Sequence, residues 1–117
     1  AGYTPLMLAC ANRHHKATRL LIKLGSDVKI RNQEGATALM LSSASDDVTA
    51  VKTLVNAGAD LDVMDCHEQT ALMEASVRGG HSVVRALVES GADTNLRDSR
   101  GRTALHLAIL HGHYAVA

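Results

Sequence analysis

Apolar residues fall along this chain in short clusters at helical spacing, and the clusters return every 33 residues. Leu6, Ala9 and Cys10 form one apolar face of a first helix, and Val83, Val84, Leu87 and Val88 form one of a later, second helix. Leu20-Leu21-Ile22, Leu54-Val55 and Leu87-Val88 mark the second helices of successive units. The pattern predicts helices over 5–12 and 15–24, 38–45 and 48–57, 71–78 and 81–90, and 104–111, with a stub from 114. Val28–Ile30, Leu61–Val63 and Thr94–Leu96 read as short extended stretches leading to turns.

The punctuation keeps the same rhythm. Thr stands at 4, 37, 70 and 103, where its hydroxyl can cap a helix N-terminus, and Pro5 suits a first helical position. Gly25, Gly58 and Gly91 fall just past the second helices, where a left-handed residue ends a helix at least steric cost. Gly2, Gly35 and Gly101 precede the threonines by two, with Glu68 in the third copy. A short unit copied about four times means stacked layers with local contacts and a long concave face, not one core with one cleft.

The segments Thr4-Pro5-Leu6-Met7, Thr37-Ala38-Leu39-Met40, Thr70-Ala71-Leu72-Met73 and Thr103-Ala104-Leu105-His106, with Ala57-Gly58-Ala59-Asp60 and Ser90-Gly91-Ala92-Asp93, resemble the ankyrin repeat over essentially the whole chain. The resemblance implies an all-α repeat solenoid of stacked helix-turn-helix units with β-hairpin-like fingers, in copies 1–33, 34–66, 67–99 and a truncated 100–117. Leu105, Ile109 and Val116 look like interior residues, so the chain is expected to be a window from a longer protein. Two departures stand out. Asp46-Asp47 replace the family's Gly-His pair; Asp47 can cap the next helix, and the turn before it is expected to tighten differently. Glu68 at a turn glycine position marks copy three as the candidate for a distorted or mobile finger.

Composition narrows function. Phe and Trp are absent, and Tyr3 and Tyr114 are the aromatics. Ala, Leu and Val suffice when thin layers stack roughly 8–10 Å apart. Twelve basic residues balance twelve acidic ones, which argues against a general electrostatic grip on nucleic acid or anionic lipid. No apolar run approaches the roughly 20 residues that span a bilayer. Cys10 and Cys66 lie two units apart, about 20 Å at that layer spacing, too far to bridge. Two free thiols and no glycosylation sequon suit a reducing intracellular compartment, cytoplasmic or nuclear.

Motifs for chemistry are lacking. His106, His67, Gln69 and the pair His111/His113 invite a metal, but His106 and His111 are five apart and share no helix face. His14, His106 and His113 occupy positions where the ankyrin pattern itself carries His. His67-Glu68 is no zincin motif because residue 71 is Ala, and no phosphate-binding loop exists. The expectation is no cofactor, no metal and no catalysis. Met7, Met40 and Met73 form a stripe that reads first as inner-helix packing and second as an adaptable groove floor. Cys66 sits at a finger tip, an exposed bystander thiol rather than a redox sensor. Asn95, after Asp93-Thr94, resembles the site some ankyrin repeats offer to an asparaginyl hydroxylase, although a hydrogen-bonding loop Asn is the plainer reading; Lys29 and Asp62 at the matching positions cannot serve.

In ankyrin proteins, partners meet the finger tips and the exposed inner-helix face. Carried over by position, this implies Tyr3, Ala11 and Asn12 in copy one and Gln33, Glu34, Ala36, Ala44 and Ser45 in copy two. Copy three supplies Cys66, His67, Gln69, Val77 and Arg78, and copy four Ser99, Arg100, Arg102, Leu110 and His111. Arg78, Arg100 and Arg102, with Arg97 near, make one end positive and suggest a peptide or protein partner with an acidic segment, since Arg pairs carboxylates bidentately. The expected function is a protein-interaction module, with a regulatory segment docking inside a larger enzyme or channel as the alternative. Nucleic-acid binding would need a basic stripe and stacking aromatics that the chain does not supply.

Overall fold

The computed structural model describes residues 2–112, so the expected helical stub with His113, Tyr114 and Val116 lies outside the described residues. The helices are α1 Pro5–Ala11, α2 His15–Lys23, α3 Ala38–Ala44, α4 Val48–Asn56, α5 Ala71–Arg78, α6 His81–Glu89 and α7 Ala104–Leu110. Each lies within a residue of its predicted span. Within a repeat, α1 packs on α2, α3 on α4 and α5 on α6. Between repeats, α1, α3, α5 and α7 form one row and α2, α4 and α6 a second.

The caps explain why these helices start where they do. The hydroxyls of Thr4, Thr37, Thr70 and Thr103 accept from the backbone N–H of Met7 (3.1 Å), Met40 (3.3 Å), Met73 (3.2 Å) and His106 (3.4 Å). Asp47 does the same for α4 through Ala50 N–H at 3.2 Å, as the sequence predicts, and its second oxygen meets His15 Nε2 at 2.7 Å. That contact ties α2 to α4 across a repeat boundary. The turn before Asp47 departs from expectation. Asp46 keeps a left-handed φ of 56°, beside 57° at Arg13 and 75° at Gly79, so all three turns share one conformation. Asp tolerates that region better than most residues, which is why the turn need not tighten.

The two rows close on a shared core. Leu6, Leu39 and Leu72 are buried at 2%, 1% and 3% exposure, and Met7, Met40 and Met73 are buried beside them. The methionine stripe is therefore chiefly packing, with Met40 also reaching the wall of a surface cleft. Ser43 and Ser76 occupy one position and satisfy their buried hydroxyls on the carbonyls of Leu39 and Leu72, each at 2.8 Å. Burial pushes the Cys10 thiol above its ordinary pKa, so it is a core thiol. Leu105 holds the fourth place in the leucine row but is 49% exposed, and Ile109 is half exposed too. Both were expected inside; among the described residues α7 has an inner-row neighbour, α5, on one side alone. Val88 is likewise half exposed, because Val83 and Leu87, four residues apart, take the inward face of α6.

Candidate partner-binding surface

Each finger is built on one carboxyl or carboxamide side chain. Asn32, Asp65 and Asp98 stand 33 residues apart, and in each a single side-chain oxygen accepts from the backbone N–H two and four residues on, at 2.9–3.0 Å. The backbone closes with them: Asn32, Asp65 and Asp98 N–H donate to the carbonyls of Ala36, Gln69 and Arg102. This is hairpin-like bonding, but the described residues form no strand. The stretches expected to be extended are turns at 28–29 and 94–95, where Asp27 and Asp93 accept from Lys29 and Asn95 N–H, and a bend at 61–62. Asn95 itself is exposed in its turn.

Copy three does not have the distorted finger that Glu68 suggested. Glu68 adopts φ 58°, the left-handed conformation held by Gly35 at 77° and Gly101 at 74°. Asp65 keeps the same bonds as its counterparts, so the turn is retained and Glu68 carries the strain. Neighbouring fingers are stitched together. Cys66 N–H donates to Glu34 carbonyl at 2.8 Å, and the Arg31 guanidinium bridges the carbonyls of Gly35 and Met64.

On this frame the expected contact residues fall into two groups. Tyr3, Asn12, Gln33, Glu34, His67, Arg78, Arg100, Leu110 and His111 are exposed. Others are engaged within the fold. Ser45 is half-buried, its hydroxyl donating to Ala11 carbonyl and its own carbonyl accepting from Arg13 at 2.7 Å. Val77 packs against the core, and Gln69 reaches Asp98 at 3.4 Å. Arg102 is paired with buried Asp98 at 3.0 Å, and Arg97 donates to Gly101 carbonyl. Of the four arginines proposed for the positive end, Arg78 and Arg100 have no such bond among the described residues, and the other two chiefly hold the third finger.

Charge separates the two ends. The backbone N–H groups of Arg102 and Arg100, with the Arg102 guanidinium, hold the Asp98 carboxyl below its ordinary pKa. Toward the first two fingers lies a shallow cleft of about 140 Å³, lined by Tyr3, Glu34, Met40, Ala44, Asp65 and Glu74 among others. Burial there pushes the Glu74 carboxyl above its ordinary pKa. Missed in the sequence were Glu74 and the finger residues Asn32, Asp65 and Asp98; the last three were legible as a polar residue three places before each turn residue at 35, 68 and 101.

Stacked helix pairs with a free row of fingers define a helical repeat protein whose exposed chemistry varies from layer to layer while its backbone does not. A family model of ankyrin repeats, three copies long, matches residues 1–65 and again 47–117, and the chain belongs to the ankyrin-repeat family. No curated protein matches the chain. Ankyrin repeats are generally protein–protein interaction modules and are typically non-catalytic. Among the described residues, no helix is long and apolar enough to cross a membrane, and no group of three His, Cys, Asp or Glu is placed to hold a metal ion.

Proposed function

We propose that this chain is a non-catalytic interaction module that binds a partner peptide or protein along its fingers and inner-helix face. The partner lays an acidic segment against Arg78 and Arg100, with Arg102 contributing charge from its pair with Asp98. Tyr3 and Leu110 supply apolar contact. The observation that carries this is the combination of one repeated finger backbone with exposed side chains that differ in every copy: Gln33 and Glu34, then Cys66 and His67, then Ser99 and Arg100. A surface held rigid by its backbone and varied in its side chains suits selective recognition.

The test is affinity capture of a binder followed by titration against Arg78→Glu/Arg100→Glu. Arg102 is spared, since Glu there would face Asp98. Affinity is expected to fall at least about tenfold with the helical CD spectrum intact, whereas Lys52→Glu/Arg85→Glu on the outer row leaves it unchanged. Unchanged affinity in the finger double variant rejects the assignment.

A further inference from the structure

We propose that the cleft beside the first two fingers seats one basic side chain, lysine or arginine, of the bound partner. This rests on the concave-surface reading above and gives it a direction: cation toward copies one to three, acidic segment toward copies three and four. The cleft, about 140 Å³, matches in size the roughly 150 Å³ engineered cavity that accepts benzene, so it suits the end of one side chain. Met40, 4% exposed, and half-buried Ala44 give it an apolar floor for a methylene stem. Tyr3, 42% exposed, lends an aromatic ring to a cation. Glu34 and Glu74 bring carboxylates for charge-assisted hydrogen bonds, while one oxygen of Asp65 is already taken by its finger.

The other charged groups nearby leave this role open. The Arg31 guanidinium is spent on the carbonyls of Gly35 and Met64. Arg78 and His67 act on Glu74 through space, and no hydrogen bond or ion pair engages the Glu74 carboxylate among the described residues. An anionic side chain would meet like charge here, and a purely apolar one would desolvate Glu74 further without compensation. A cation instead offsets, by its opposite charge, the desolvation that raises the Glu74 pKa.

The probes are N-acetyl-lysine amide, its uncharged counterpart N-acetyl-norleucine amide, and N-acetyl-glutamate amide, each titrated by NMR into the carbon-labelled chain. The lysine amide is expected to move the Tyr3 ring and Glu74 carboxyl resonances saturably and to lower the Glu74 pKa. Glu74→Gln is expected to weaken it at least about fivefold, and Glu34→Gln, at an exposed site that spares the fold, to weaken it less. The norleucine amide should bind at least about fivefold more weakly than the lysine amide. No response to the lysine amide, an equal response to the norleucine amide, preference for the glutamate amide, or undiminished binding by Glu74→Gln each overturns the proposal. No partner is needed, so failure here leaves the arginine test standing, and failure of the arginine test leaves this titration readable.

Discussion

The inner-helix row and the finger tips follow the same 33-residue rhythm, but different things are held constant in each. In the row, side chains repeat: Leu6, Leu39 and Leu72 fill one buried position, and Met7, Met40 and Met73 the next. At the tips the backbone repeats, set by Asn32, Asp65 and Asp98, while the outward residues change sign and size. Close packing punishes a lost methylene, whereas a solvated tip tolerates nearly any residue once its turn is made. Stability thereby rests on the row while the tips are left to vary, which lets one layer carry Glu34 and another Arg100 without changing the stack.

The largest test of that division is in the row. Leu72→Ala should cost about 2–5 kcal/mol in denaturant melts, whereas half-exposed Leu105→Ala should cost well under half as much. Equal losses would erase the distinction between closed and open layers. Asp47→Ala removes a helix cap and the partner of His15, and is expected to cost about 1–2 kcal/mol. Asp47→Asn should recover part of this by keeping the cap. At the tips, Glu68→Gly should stabilise by roughly 0.5–1 kcal/mol, because glycine accepts the left-handed φ freely. A destabilised Glu68→Gly would show that the Glu68 side chain does something the turn requires.

The smallest effect at neutral pH belongs to Asp98. Its carboxyl titrates below the unfolded value near ~4, so its contribution is complete above that pH and fades as acid carries the protein through the lower folded pKa. Asp98→Asn, which copies Asn32 of the first finger, should preserve the turn at pH 7 and flatten this part of the acid limb. An unchanged acid limb would mean that other carboxyls set it.

Much of the fold was legible because repetition multiplies weak signals. One Thr before an apolar run says little, but Thr4, Thr37, Thr70 and Thr103 in register fix four helix starts. The candidate contact residues could be placed by position but not by state. Sequence spacing could put Arg78, Arg100 and Arg102 on one side, yet could not show that Arg102 is already paired across its own turn. The internal bonds of Ser45 and Gln69 were hidden for the same reason: their partners, Ala11 and Asp98, lie 34 and 29 residues away. Glu74 escaped notice because its environment is assembled from three copies. Glu68 was identified as strained, but a local rule could not say whether the turn or the residue would yield, and the bonds from Asp65 decide for the turn.

The proposed function depends on which side of the stack meets a partner. Backbone amide shifts of the labelled chain, recorded with and without a captured binder, read this directly. Changes are expected to concentrate at Tyr3, Glu34, His67, Arg78 and Arg100, and to spare Lys52, Arg85 and the rest of the outer row. A footprint centred on α2, α4 and α6, with the fingers undisturbed, would contradict it.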